Sequence, residues 1–364
     1  MDLRDKYLKL VEMLDSNPVG APNSKEFMEM MEIFFPEEHL DLALLLSFKN
    51  QTLEEVAQAA NRPKEEVEKI LEEMAARGTI LSKASGDTRK YRLWPIYAGL
   101  FEYTSMSGKF DDATRERLYQ LWHHYYKKTL LHEVGETNPP WKRVLPAMES
   151  YMQPDEVLTY EIAADLIRTQ AKRIALGVCA CRDIEKKCDK PIDTCLAFDE
   201  AAGFMIEYNL GKEITVDEAI GVLKRAEEAG LVHMSSNNKN NLLFMCNCCS
   251  DCCHLFRPYT EFNYPDTVGK SSVLADISAD LCTGCGICSE KRCPVKAIKL
   301  VDGIAVVNDD LCIGCGLCVT TCPTKAISLA KKPEIPNVPE TLGELSKIIG
   351  KTKKENRADP RYVR

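Results

Sequence analysis

Two short stretches decide the C-terminal part of this chain: residues 282–293 read CTGCGICSEKRC, and residues 312–322 read CIGCGLCVTTC. In each stretch, three cysteines are separated by two residues, and a fourth follows further along, just before a proline. Three thiolates at this spacing can surround one iron–sulfur cube, whereas the fourth is too distant to close the same cube easily. Because the pattern occurs twice in register, it favours iron–sulfur clusters over a zinc site or disulfides.

Glycines stand beside these cysteines, where the backbone must approach sulfur atoms closely. They are Gly284, Gly286, Gly314 and Gly316. Glycine has no side chain to obstruct the approach, and it permits positive φ where the turn requires it. The glycines therefore fit a chain that wraps tightly around a cluster.

From about residue 275 to residue 329 the chain resembles a bacterial dicluster ferredoxin. The resemblance includes the turn and strand after each cysteine run, PVKAIKL at 294–300 and PTKAISL at 323–329. It implies two 4Fe–4S clusters in which the fourth cysteine of each run binds the other cluster. The implied ligands are Cys282, Cys285, Cys288 and Cys322 for one cluster, and Cys312, Cys315, Cys318 and Cys293 for the second. The first run has one residue more before its fourth cysteine, which predicts a longer surface loop.

The length and composition of the chain limit the classes of protein to which it can belong. The chain has 364 residues, 45% of them hydrophobic, which is enough for two to four domains with real cores. A net charge of −8 argues against a general nucleic-acid binder. The opening MDLRDKYLKLVEML has no apolar signal core, and no stretch approaches eighteen uninterrupted apolar residues. We therefore expect no membrane span and a location in the reducing cytoplasm, as in an anaerobe, because thiolates committed to iron need reducing conditions.

A second group of cysteines, the cysteine field at residues 179–253, precedes the repeat. Its members are Cys179, Cys181, Cys188, Cys195, Cys246, Cys248, Cys249, Cys252 and Cys253. Adjacent cysteines cannot easily face one cube, because successive side chains diverge in extended backbone. The first four could hold a third 4Fe–4S cluster, with members of 246–253 holding another centre. Alternatively, two ligands from each group could surround one cluster, the field could bind zinc, or its thiols could be unligated or redox-active.

The field carries a second resemblance, which covers about residues 160–329. It rests on VCACR at 178–182, on Thr194-Cys195-Leu196, on AEEAGLVH at 226–233 and on CNCC-x2-CC at 246–253. Together these motifs resemble a family of larger cytoplasmic iron–sulfur proteins, in which this segment precedes a C-terminal dicluster ferredoxin domain. The resemblance implies electron transfer and names no substrate.

The N-terminal region contains no cysteine before Cys179 and is predicted to fold without metal. Within residues 37–98, periodic apolar positions predict three helices, one of them capped by Thr52 with Glu55 as its capping-box partner. A β-hairpin around a Ser-Gly-Asp turn follows them. Three helices and a hairpin in this order resemble a winged helix.

Winged helices often bind DNA, but the charge of this one argues against that role. Residues 64–77 would form the recognition helix, and they carry five glutamates against three basic residues. Phosphates would repel such a helix. The cations of the hairpin are the counter-evidence: Lys83, Arg89, Lys90 and Arg92. We expect a protein-docking or structural role for this unit.

These observations predict a multidomain α+β protein. Its divisions are 1–98, a winged-helix-like domain; 99–150, a helical connector and linker; 151–270, a mainly helical cysteine-rich domain; 271–330, a dicluster ferredoxin domain; and 331–364, a basic tail. The tail predicts a short amphipathic helix near residues 342–349.

The leading functional hypothesis is an electron-transfer protein or subunit that serves a partner oxidoreductase or another electron carrier. The chain contains no dinucleotide fingerprint, no Walker A loop and no nucleophile elbow. Substrate chemistry is therefore expected on a partner rather than on this chain. Two alternatives stay open: a redox-sensing winged-helix regulator, and an oxidoreductase with a reactive metal centre in the cysteine field.

Overall fold

The computed structural model describes residues 2–150, 158 and 161–358. Tyr160, from which the sequence predicts a helix, lies outside the described residues, and the helix itself begins at Ala163, after an extended Ile162. The helices are α1 Leu3–Asp15, α2 Lys25–Phe34, α3 Glu37–Ala43, α4 Leu53–Ala60, α5 Lys64–Ala76, α6 Phe101–Met106, α7 Asp112–Tyr125, α8 Leu131–Gly135, α9 Ala163–Gln170, α10 Ala180–Glu185, α11 Asp199–Glu207, α12 Val216–Glu228, α13 Arg257–Glu261 and α14 Leu342–Ala358. The strands are β1 Gln51–Thr52, β2 Ile80–Ser85, β3 Thr88–Leu93, β4 Lys142–Leu145, β5 Ile174–Gly177, β6 Cys195–Phe198, β7 Lys212–Glu213, β8 Val232–Ser236, β9 Phe244–Cys248, β10 Val268–Gly269, β11 Val273–Ile277, β12 Ile298–Val301, β13 Ile304–Val307 and β14 Ile327–Lys331.

The N-terminal unit contains the predicted three helices and hairpin. Thr52 and Glu55 form the expected capping box at the start of α4. The strands form a three-stranded antiparallel sheet in the order β1-β3-β2, so that β1, just before α4, closes onto the hairpin. The likeness to a winged helix stays a prediction, whereas the local elements are as the sequence indicates.

The hairpin of this unit packs against α11 of the cysteine-rich region through ion pairs. Arg89 lies 2.7 Å from a carboxylate oxygen of Glu207, and Arg92 lies 2.7 Å from one of Glu200. Lys83 also pairs with Glu200. Three of the four hairpin cations named above are thus engaged within the chain.

A seven-stranded sheet organises the middle of the molecule, in the order β10-β4-β8-β9-β6-β5-β7. All neighbouring strands are antiparallel except β10 and β4, which are parallel. A hairpin of β8 and β9 belongs to this sheet, and a capping box of Thr215 and Glu218 begins α12. The expectation of a mainly helical middle domain missed the sheet.

The sheet also corrects the interpretation of residues 135–146 as a linker. Four of these residues form β4, all buried, between β8 and β10. The prolines at 139 and 140 lie just before the strand, where a missing backbone N–H costs no ladder hydrogen bond. The region predicted as a connector therefore supplies an inner strand of the sheet that carries the cysteines.

The C-terminal unit contains two antiparallel pairs, β11 with β14 and β12 with β13. Arg292, in the longer loop of the first cysteine run, attaches this unit to the end of α12. Its guanidinium donates to the carbonyl of Glu227 at 2.7 Å and to that of Glu228 at 3.1 Å. The loop with the additional residue is therefore a point of attachment between the two units.

The basic tail forms α14, which is longer than the predicted helix. Leu345 and Ile349 are buried, and Lys353 pairs with Glu133 at 2.5 Å. The tail therefore docks on the chain's own N-terminal half. Among the described helices, none combines the length and the apolar character that crossing a membrane would require.

Candidate metal centres

Four cysteines of the repeat surround one cavity at the end of the C-terminal unit. Its lining includes Cys282, Cys285, Cys288 and Cys322. Ile287, Leu300 and Ile327 add apolar walls. Four thiols around one largely apolar cavity fit a 4Fe–4S cluster, which thiolates hold at its four corners. The sequence-distant Cys322 is thus brought to the first three cysteines.

The glycines beside the cysteines have the conformation that this wrapping needs. The backbone of all four turns into positive φ at Gly284, Gly286, Gly314 and Gly316. A Cβ at Gly284 would lie 2.2 Å from the carbonyl oxygen of Gly303, and one at Gly314 would lie 2.1 Å from that of Val273. Other residues are thereby excluded both by backbone conformation and by space.

The other four cysteines of the repeat lie deeper. Cys312 and Cys318 are buried, Cys293 and Cys315 are half-buried, and burial raises the pKa of Cys315 to about 12. Burial also raises the pKa of Cys318 well above its ordinary value, and the negative charges of Cys315 and Cys312 add to the effect. A thiol whose pKa is raised in this way forms a thiolate near neutral pH only when a cation or a cluster stabilises the negative charge. This group matches the second ligand set implied by the ferredoxin resemblance.

Six cysteines of the field form a continuous run of neighbouring thiols, in which each thiol affects the ionisation of the next. The run passes in order through Cys179, Cys181, Cys253, Cys248, Cys246 and Cys195. The Sγ atoms of Cys248 and Cys253 are 3.3 Å apart. The start of α10, the start of β6 and the end of β9 all contribute, so tertiary structure assembles this six-cysteine run.

Lys142 of β4 supplies a cation to the run. Its Nζ donates to the Sγ of Cys246 at 3.2 Å, and the side chain is buried. Burial lowers the pKa of Lys142, but the charges of Cys246 and Cys248 outweigh burial and hold it well above its ordinary value. Hydrogen bonds from Cys195 and Cys248 in turn hold the pKa of Cys246 well below its usual range. Nothing in the sequence singles out Lys142, because the segment around it reads as a linker.

The remaining three cysteines of the field form a separate group with one carboxylate. The ligand atoms of Cys188, Cys249, Asp251 and Cys252 all lie within 4.8 Å of one another. The Sγ of Cys188 is 3.9 Å from that of Cys249 and 3.8 Å from that of Cys252. We call this group the three-thiol site. Asp251 was not among the residues singled out from the sequence.

In the first arrangement considered above, the first four cysteines of the field bind one cluster. The structure instead divides these four cysteines between the two groups. Cys188 lies in the three-thiol site, while Cys179, Cys181 and Cys195 lie in the six-cysteine run. The adjacent pairs 248–249 and 252–253 are both split between the groups. This is the divergence of neighbouring side chains that extended backbone imposes. Thiols of both segments do meet in the run, but three from each segment contribute, whereas the second arrangement supposed two.

Arg182 and His233 have different surroundings. Arg182 is buried, and its guanidinium donates to the carbonyl of Asn247 at 2.7 Å and to the Sγ of Cys249 at 3.7 Å. His233 is also buried, and its ring nitrogens lie 2.9 Å from Glu227 and 2.5 Å from Asn247. Arg182 therefore contacts a cysteine of the field, and His233 is a packed histidine with protein partners.

A small cavity lies against the six-cysteine run. Cys195, Cys246, Lys142, Glu102 and Trp141 contribute to its lining, and the other walls are mainly apolar. Burial raises the pKa of Glu102 to about 7, although the backbone N–H of Gly99 donates to its carboxylate at 3.1 Å. A carboxyl group that titrates near neutrality thus shares a cavity with two thiols of the run.

Comparison with known proteins identifies one part of the chain. A family model described as a 4Fe–4S binding domain matches residues 305–328, which include Cys312, Cys315, Cys318 and Cys322. Neither the curated proteins nor the solved structures contain a significant match to the chain. The C-terminal region therefore carries a 4Fe–4S binding domain, which makes the protein an iron–sulfur protein.

Proposed function

We propose that the protein carries single electrons through two 4Fe–4S clusters, between a low-potential donor and a partner oxidoreductase in a reducing cytoplasm. The observation that carries the proposal is the cavity enclosed by Cys282, Cys285, Cys288 and Cys322. It supports crossed ligation, in which Cys293 completes the second cluster with Cys312, Cys315 and Cys318. When bound, such clusters supply one-electron reduction and oxidation, and the protein sets their spacing and potential.

The two ligand sets differ in how far they lie from solvent. Cys285 of the first set is exposed, and Leu281 and Val301 beside this set are more than half exposed at 53% and 52%. Exposed apolar side chains around a redox centre favour docking of a protein partner. The second set lies inward, where the carbonyl of Cys315 accepts a 2.9 Å hydrogen bond from the backbone of Ala147. We infer that electrons enter or leave at the first set and pass inward through the second.

Metal content and spectroscopy test this proposal. Anaerobically purified full-length protein should contain at least eight iron and eight sulfide per chain, the content of two cubane clusters. EPR of the reduced protein should show signals of interacting 4Fe–4S clusters. A total near four iron in fully loaded protein would contradict it.

Single replacements test the crossed ligation. Cys322→Ala should damage the cluster held by Cys282, Cys285 and Cys288, and leave the cluster at 312–318 intact. Cys293→Ala is the matched variant, with the reverse outcome expected. If EPR of the Cys322→Ala protein instead shows loss of the cluster at 312–318, each run binds its own cluster and the crossed assignment fails.

The cavity beside the six-cysteine run supports a second candidate function, an oxidoreductase whose reactive centre is held by that run. Glu102 is placed to hold or accept a proton, and the apolar walls would exclude water from a small substrate. The run would bind a metal centre, since its donor set is entirely thiol. The ferredoxin clusters would then deliver electrons to this centre.

The electron-transfer function and the oxidoreductase function can be distinguished by testing whether a small molecule reaches the six-cysteine run. Cyanide should perturb the EPR signal of a reactive centre in the native protein. Ala197→Phe, which fills the cavity from β6, should reduce this perturbation. If cyanide leaves every signal unchanged in both proteins, the centre is closed and the electron-transfer function stands without the enzyme.

The regulator alternative has less support. Lys83, Arg89 and Arg92 are engaged by the glutamates of α11 and are not free to bind phosphates. The helix that would enter the major groove, α5, carries Glu65 and Glu66 beside Lys64 in its first turn and has no basic residue in its last turn. We therefore propose that the N-terminal unit serves as a packing or docking unit.

A further inference from the structure

We propose that the three-thiol site binds a single structural zinc ion, with Cys188, Cys249, Cys252 and Asp251 as its ligands. This inference is independent of the electron-transfer function and concerns a site separate from the ferredoxin repeat and the six-cysteine run.

The first argument is the separation of the sulfur atoms. Zinc binds thiolate sulfur at about 2.3 Å, so two sulfurs on one tetrahedral zinc lie about 3.8 Å apart. The observed separations from the Sγ of Cys188 are 3.9 Å to Cys249 and 3.8 Å to Cys252. Thiolates on a cubane bind different irons and must lie further apart. The geometry therefore fits one metal ion and does not fit a cluster.

The second argument is an unsatisfied carboxylate oxygen. Oδ1 of Asp251 is buried and has no hydrogen-bond partner among the described residues. A buried acceptor without a partner is costly, and burying a charged one is more so. Asp251 lies with the three thiols, within the same 4.8 Å. A cation at this point would satisfy the oxygen and complete a tetrahedral set of four ligands.

The third argument is the charge around the site. Three thiolates and one carboxylate carry four negative charges, which a divalent ion reduces to two. Arg182, which is buried, donates to the Sγ of Cys249 and adds a compensating positive charge. Its other hydrogen bonds, to Thr194 and to the carbonyls of Pro191 and Asn247, fix its position. Residues that hydrogen-bond to the ligands of a metal site in this way hold those ligands in the required orientation.

The choice of zinc follows from the ligands and the burial. Soft thiolates favour zinc and iron over calcium or magnesium, and a closed four-coordinate set is typical of structural zinc. Cys249 and Cys252 are buried, and the four residues supply the four ligands that such a set needs. The ion would fasten the loop that contains Cys188 to the turn after β9. That loop connects Cys181 to Cys195, so the zinc would hold two members of the six-cysteine run in position.

Element-specific measurements on the full-length holoprotein test the site. Anaerobically purified protein should contain one zinc per chain in addition to its iron. Zinc K-edge absorption spectroscopy should show about three sulfur ligands near 2.3 Å and one oxygen near 2.0 Å. Iron does not contribute to this signal. Absence of stoichiometric zinc, a shell of four sulfurs, or an additional single iron in place of zinc would each overturn the proposal.

Substitutions in the three-thiol site provide a second test of zinc binding. Asp251→Asn should lower zinc affinity by roughly tenfold or more in competition with a chelator, by analogy with the effects of losing supporting groups at metal sites. Cys252→Ser should lower the zinc content of the chain further. Asp189→Asn is the matched control, since Asp189 is exposed and adjacent to Cys188 but lies outside the site. Equal zinc affinity in the Asp251→Asn and Asp189→Asn proteins would remove Asp251 from the site, even if the Cys252→Ser protein does not fold.

Discussion

The ferredoxin repeat and the cysteine field are both rich in cysteine, but they place their ligands by different means. In the repeat, three of the four cysteines of each run lie within seven residues of sequence, and the glycines between them have positive φ. In the field, ligands come from α10, β6, β9 and the turn after β9, and only the sheet brings them together. A local site can be recognised from spacing, whereas an assembled site depends on the whole fold.

The comparison also explains which supporting residues matter in each region. Around the repeat they are small residues close in sequence, such as Gly284 and Gly314. Around the field they are large buried cations far away in sequence, such as Lys142, whose Nζ reaches the Sγ of Cys246. The predictions that follow test this contrast, beginning with the largest expected effect.

Lys142→Met should destabilise the protein by about 3 kcal/mol, because it leaves the negative charge of the six-cysteine run buried without its cation. The measurement is the free energy of unfolding of the anaerobic protein, in parallel with its iron content. Lys142→Arg keeps the charge and should retain most of the stability. If the Met variant is as stable as the Arg variant, the run carries no charge that needs compensation.

Gly314→Ala should cost about 2 kcal/mol, because its φ of +69° disfavours a side chain and a Cβ would collide with the carbonyl of Val273. The iron bound at the repeat should fall, while zinc should remain. Gly350→Ala in α14 is the control, since nothing lies within 4 Å of the position, and it should be neutral or slightly stabilising. Equal behaviour of the two variants would contradict a tight turn at the cluster.

Thr215→Ala should cost about 1 kcal/mol, because it removes the capping box that begins α12. Thr52→Ala removes the same motif in the N-terminal unit and should cost a similar amount. Thermal unfolding of both variants measures the effect. Neither variant should change the metal content, and a loss of iron from the Thr215→Ala protein would show that this cap supports the field directly.

The smallest expected effect is a change in how steeply the free energy of unfolding depends on pH. Glu102 ionises near 4.5 in the unfolded chain, and burial raises its pKa to about 7 in the folded protein. Between these values the folded state retains a proton that the unfolded state has lost, so stability falls as pH rises through this window. Glu102→Gln should flatten this part of the stability profile. An unchanged slope would indicate that the cavity gives the carboxylate free access to water.

Much of the repeat could be predicted from the sequence, because spacing, glycines and the following strands are local features. The same holds for the capping boxes at Thr52 and Thr215 and for the β8–β9 hairpin. The seven-stranded sheet could not be predicted, since its strands are short and β4 follows two prolines. A fragment of residues 150–270 would lack β4 and Lys142, so it cannot represent the field on its own.

The division of the field also escaped prediction, but a signal was present. In C-x-C-C-x2-C-C, the alternation of β9 places Cys246 and Cys248 on one side and turns Cys249 away. Read with this alternation, the motif predicts two ligand groups. Their partners in residues 179–195 could be assigned only from the fold, because nothing in the spacing of Cys188 separates it from Cys181 or Cys195.

The split of adjacent cysteines has a consequence for biogenesis. Residues 246–253 supply ligands to the six-cysteine run and to the three-thiol site from one short segment. Binding of a metal at either site would fix the backbone that the other site requires. Filling one site would therefore prepare the ligands of the other. A metal of the wrong kind at either position would distort both. Metal loading at the two sites should therefore be coupled rather than independent.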